Sequence, residues 1–99
     1  MIDRKIDKLK SAVGLACDAS YAPNIIKGRE AILAMPKQWV IENIESVVAQ
    51  SLDLSDEWHY CRLLEIYKSL DRNLYKRLIE YGLRSPNEEI VEAASDSTK

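Results

Sequence analysis

Apolar residues recur at three- and four-residue spacing along most of the chain, and no stretch alternates apolar with polar over strand length. Helices are therefore the expected element throughout. The pattern is clearest after Pro36, where Trp39, Val40, Ile41, Ile44, Val47, Val48 and Leu52 predict a helix over residues 36–52. Proline suits a first helical turn, because its missing N–H would have no intrahelical partner there. Ser55-Asp56-Glu57 offers a capping oxygen and carboxylates for the positive end of a helix dipole, opening a helix over 56–69 that carries Trp58, Cys61, Leu63, Leu64 and Tyr67. Asp71 can cap the next helix, with Leu74, Tyr75, Leu78, Ile79 and Leu83 turned inward. Ser85-Pro86-Asn87-Glu88 combines an N-cap serine, a proline at the first helical position and a capping-box glutamate. It predicts a last helix over 86–95 and a frayed polar tail over 96–99.

Towards the amino end, Ile2, Ile6, Leu9, Val13 and Ala16 or Cys17 form a stripe over residues 3–18 despite Gly14. Tyr21-Ala22-Pro23-Asn24 interrupts it, and Ile25, Ile26, Ala31, Ile32 and Leu33 predict a helix over 24–34. The expectation is an all-α chain of about six short helices, each dependent on tertiary packing because none is long enough to stand alone in water. Ninety-nine residues suit one hydrophobic core, so a single helical domain is expected over 1–95.

A repeat emerges when the chain is slid along itself by 31 residues. Ile32-Leu33 then pairs with Leu63-Leu64, Met35 with Ile66, Trp39 with Leu70, Ile44 with Tyr75, Val47-Val48 with Leu78-Ile79, and Leu52 with Leu83. Ser51 pairs with Gly82, a small residue at each position, as a close approach of helices would need. The run LDRNLYKRLIEYGLRSPNEEIVEAA, from Leu70 to Ala94, resembles a HEAT-repeat junction, and SDEWHYCRLL, from Ser55 to Leu64, looks like the start of the preceding unit. The resemblance covers residues 24–95 and rests on motifs of low specificity. It departs from the family in its period, against about 40 to 47 residues for HEAT units, and in having Ile90-Val91-Glu92 where a Val-Arg pair is usual. The tetratricopeptide and ankyrin signatures are absent. A HEAT-like likeness implies antiparallel hairpins stacked as a fragment of a right-handed α-solenoid, and binding surfaces in place of a reaction.

Hydrophobic residues make up 46% of the chain and charged residues 30%, which excludes a wholly disordered protein. No apolar run approaches the roughly 20 residues that span a bilayer, and Met1 to Lys10 lack a secretory h-region. A cytoplasmic protein with no membrane partner is expected. Cys17 and Cys61 lie within apolar segments, without a CxxC or a His/Cys cluster, and read as reduced packing residues. Asp56 and the only histidine, His59, share a helix face, but no third metal ligand follows at a recognisable spacing. Glycine-rich phosphate loops and HExxH are missing. No catalytic residue, metal or cofactor is assigned.

The net charge of −2 conceals blocks. Residues 42–57 hold Glu42, Glu45, Asp53, Asp56 and Glu57 with no base, whereas residues 62–84 hold six bases against three acids. Those bases, Arg62, Lys68, Arg72, Lys76, Arg77 and Arg84, form the candidate partner-binding zone. An acidic protein suits them better than nucleic acid, since the chain as a whole is acidic and no clear set of aromatics accompanies them for base stacking. Acid and base blocks would also let two copies meet as a homodimer. The leading expectation is a non-catalytic, adaptor-like protein-interaction module. The alternatives are a small immunity-type inhibitor of a basic toxin and, from another class, an enzyme whose site forms between subunits.

Overall fold

The computed structural model describes residues 4–17 and 21–98, of which nearly all are helical. In chain order the elements are α1 (Arg4–Ala16), α2 (Ala22–Ala34), α3 (Lys37–Ser51), α4 (Glu57–Leu70), α5 (Arg72–Leu83) and α6 (Glu88–Asp96). The protein is thus all-α, as the periodicity predicts. Ile2 and the outermost positions of the predicted first helix, 3 and 18, lie outside the described residues.

The helices gather into two compact units, residues 1–52 and 53–99. In the first, α1 packs against both α2 and α3. Leu9, Ala12, Val13 and Ala16 of α1 are buried, as are Ile25 and Ile32 of α2 and Val40, Ile44, Val47 and Val48 of α3. Cys17 is buried too, in accord with a packing role. The closest approach is made by Gly28, where a Cβ would meet the backbone of Ala12 and Ala16 in α1. Only hydrogen fits there. On the other flank, the Lys5 ammonium lies 5.9 Å from the centre of the Trp39 ring, within cation–π range.

In the second unit α5 packs against α4 and α6, and α4 also meets α6. Its centre is Tyr60, fully buried, whose hydroxyl donates to the Leu78 carbonyl at 2.8 Å. Burial pushes the Tyr60 phenol well above the ordinary tyrosine value. Gly82 lies against that ring, so that an added Cβ would collide with the Tyr60 side chain and with the Ala94 Cβ. The small residue at 82 is therefore required by an aromatic ring beneath it. Within α4 the buried face comprises Tyr60, Leu63, Leu64, Ile66, Tyr67 and Leu70. Trp58 is exposed, because it sits in the first turn two positions from Tyr60 and so on the opposite side of the helix. Leu83, read as inward, is 44% exposed at the last residue of α5.

Caps set the boundaries. Asp71 ends α4 and begins α5: its N–H donates to the Tyr67 carbonyl, and its carboxylate accepts from the Leu74 N–H at 3.1 Å. Two expected serine caps give way to their neighbours. At α4 the cap is Asp56, which accepts from the N–H groups of Trp58 and His59, while Ser55 hydrogen-bonds to Asp53. At α6 the cap is Asn87, accepting from the Glu89 N–H, while Ser85 Oγ accepts from the Asn87 N–H and shapes the turn before it. Pro86 accordingly precedes the helix instead of opening it. At the other end, Ser97 Oγ donates to the Ala93 carbonyl and Thr98 Oγ1 to that of Ser95.

The 31-residue register lays all of α5 but its last residue within the span of α3. The residues it lays on α4, 26–39, include the break between α2 and α3 at Met35-Pro36.

Candidate functional site

The six basic residues of the candidate zone do not form one patch. Arg62 is half-buried on α4, where its guanidinium pairs with Glu65 at 3.4 Å, one turn along the helix. Lys68 is exposed in the last turn of α4, where a cation meets the negative end of the dipole. Arg72 and Lys76 are exposed on one side of α5, four residues apart. Arg77 and Arg84 belong to a different side. Arg77 lies within α5, and Arg84 follows its last residue as the C-cap, its N–H donating to the Tyr81 carbonyl at 3.2 Å.

That second side of α5 forms one wall of a cleft of about 480 Å³. Arg77, Glu80 and Tyr81 line it from the helix, and Arg84, Ser85 and Pro86 from the turn that follows. Ser55, from the segment preceding α4, completes the lining. The wall exists because α5 buries Leu74, Leu78, Ile79 and Gly82, which leaves Arg77, Glu80 and Tyr81 on its outer side. Tyr81 is 51% exposed in the same lining. Ser55 is held in place from two directions. Its N–H donates to the Asp53 carboxylate at 3.0 Å, and its carbonyl accepts from the Asn87 side chain at 3.3 Å. The hydrogen bonds from Ser55 hold the Asp53 carboxyl below its ordinary value of 3.8. Two guanidiniums, one carboxylate and a phenol on an apolar turn can pair with carboxylates and stack against flat groups.

Beside the N-termini of α4 and α6 lies a second charged feature. The Glu57 carboxyl is raised above its ordinary value of 4.5, first by the neighbouring Glu89 carboxyl, then by desolvation and by the nearby charge of Asp56. Nothing in the sequence connected Glu57 and Glu89, which are 32 positions apart. Cys61 is half-buried on the same helix, and burial pushes its thiol up, against any role as a ready thiolate. His59 Nδ1 accepts from the Asp53 N–H at 3.4 Å, at the entrance to α4. Among the described residues no cluster of three metal-ligating side chains occurs, and no helix is long and apolar enough to cross a membrane.

Sequence reasoning passed over an apolar surface in the first unit. Ile26 and Leu33 are 57% and 60% exposed on α2 and, seven residues apart, share a face. On another side of α2 a shallow groove of about 520 Å³ runs along α1, lined by Ala12, Leu15, Ala31, Ala34 and Met35 and edged by Asp7, Lys8 and Ser11. The available signal was that α2 is weakly amphipathic, with apolar residues on several sides. Compared with protein-family models, curated proteins and solved structures, the chain finds no match in any of the three.

Proposed function

We propose that this chain is a non-catalytic protein-binding module whose contact surface is the outer side of α5, centred on Arg77, Tyr81 and Arg84, and whose partner presents acidic side chains. The observation that carries the reading is the cleft, whose lining brings together two arginines, an exposed tyrosine and a proline turn. Arginine and tyrosine are the residue types that dominate binding energy at protein interfaces. Arg62, Lys68, Arg72 and Lys76, outside the cleft, are assigned to steering and to surface ion pairing, each worth little alone. The test is photo-crosslinking from position 81 in a lysate of the source cells, with and without the R77E/R84E double change. One dominant protein adduct, lost on charge reversal while the helical circular dichroism persists, is the expected result. Adducts that are diffuse, or unaffected by the reversal, overturn it.

A second reading is self-association through α2. Exposed Ile26 and Leu33 on one face of a helix favour it, since neighbouring apolar side chains left in water are a common mark of an interface.

A further inference from the structure

We infer that two copies of this chain pair through α2, antiparallel about a two-fold axis that passes between residues 28 and 29, so that Lys27 of each copy meets Glu30 of the other. This rests on the second reading above, self-association through α2, and gives it a register. The first support is the make-up of the outer side of the helix. Ile25, Gly28 and Ile32 are buried. Of the exposed residues of α2, Ala22, Pro23, Ile26, Ala31, Leu33 and Ala34 are apolar, and only Lys27 and Glu30 are charged. A helix face that meets water alone is ordinarily polar. The apolar surface also continues past the helix, because Ala31 and Ala34 line the shallow groove that runs along α1.

The second support is the order of residues along that side. Positions 23, 27, 30 and 34, all exposed, are spaced four, three and four, as in a seam along which two helices pack. The seam reads Pro23, Lys27, Glu30, Ala34: an apolar residue at each end and opposite charges between. An isologous two-fold contact makes residue i of one copy meet residue j of the other, and j meet i. With the helices antiparallel and centred between 28 and 29, Pro23 meets Ala34 and Lys27 meets Glu30, each pair twice. Every charge then has a counter-charge and every apolar end an apolar neighbour. The same axis brings Ile26 and Leu33 of both copies to one edge of the seam, with Ile26 about one turn or less from Leu33 of the other copy.

The charge pattern also chooses the occupant. A helix bearing one sign of charge would be repelled by either Lys27 or Glu30, and a parallel copy would set Lys27 against Lys27 and Glu30 against Glu30. The chain's own α2, reversed, matches along the whole seam. With 13 residues, α2 is about 20 Å long, so a contact between two such helices stands at the small end of specific interfaces. The dimer is therefore in exchange with monomer and depends on concentration.

The experiment is sedimentation equilibrium on the full chain over a concentration series, for the native protein, for Lys27→Glu, for Glu30→Lys and for an equimolar mixture of the two variants. Each reversal replaces two attractive pairs by two repulsive ones and is expected to weaken dimerisation about ten-fold or more. The mixture is expected to recover native dimerisation, because a Lys27→Glu copy and a Glu30→Lys copy restore an opposite-charge pair at both places. Both positions are exposed, and circular dichroism checks that each variant remains helical. Single reversals that dimerise like the native chain, or a mixture that associates no more tightly than its components, overturn the inference. If Leu33→Lys abolishes dimerisation while the reversals leave it unchanged, the register fails and α2 survives as the interface. A native chain that stays monomeric throughout the series ends both.

Discussion

Gly14, Gly28 and Gly82 are all helical, yet their surroundings give them opposite roles. At Gly14 an added methyl would meet nothing, so Gly14→Ala is expected to stabilise the protein by about 0.5–1 kcal/mol through helix propensity alone. At Gly82 the methyl would strike the Tyr60 ring, and Gly82→Ala is expected to cost about 1–3 kcal/mol. Gly28→Ala should cost at least as much, because its obstacle is α1 backbone and not a side chain that can turn aside. Urea unfolding of the three variants checks the order 14, 82, 28. Tyr60→Phe is a milder probe, removing one buried hydrogen bond for about 1 kcal/mol. In a spectroscopic titration of the native protein, the Tyr60 phenol should ionise above the ordinary tyrosine range. The 31-residue spacing marked Ser51 and Gly82 as small for a reason but could not reveal the ring under Gly82. It missed Gly28 altogether, since a lone glycine carries no apolar signal of its own.

Helices were the legible part. Their number and their approximate bounds follow from apolar spacing, three prolines and the acidic or amide residues at their starts. What the sequence left open was which of two adjacent candidates makes the cap. Asp56 and Asn87 prevail over Ser55 and Ser85, because the serines are drawn into the preceding turns. Asp71→Ala is expected to cost about 1 kcal/mol in thermal unfolding, as loss of an N-cap does. The juxtaposition of Glu57 and Glu89 was not legible, being a product of how α4 and α6 meet. Its pH dependence has a definite sign. A carboxyl whose value is raised by folding favours the protonated form, so its contribution is full below the ordinary 4.5 and lost as pH rises through the raised value. Glu89→Gln, which leaves Glu88 in the same first turn to meet the α6 dipole, should therefore raise the unfolding midpoint near neutrality. The gain should vanish on the acid side of 4.5. A midpoint difference that grows on acidification would contradict the assignment.

For the whole molecule, the charge blocks were legible and their meaning only partly so. The basic block reads as one zone along the chain, but helical geometry divides it into a paired arginine on α4, two exposed residues on one side of α5, and the Arg77–Arg84 pair in the cleft. Exposed Ile26 and Leu33 extend the account to association: Leu33→Lys is expected to shift sedimentation towards monomer if α2 is an interface between copies, and identical sedimentation would end that reading. The Asp71 junction bears on how such a chain can change in length. Between α5 and α6 several residues separate the helices, and between α3 and α4 there are more, so insertions there lengthen a turn. Between α4 and α5 a single residue closes one helix and opens the next, leaving no slack. One added residue would detach a cap and rotate the arginine-bearing face by about 100° relative to its core. Lineages descending from this chain should accordingly gain and lose residues at the other turns while keeping the α4–α5 step fixed.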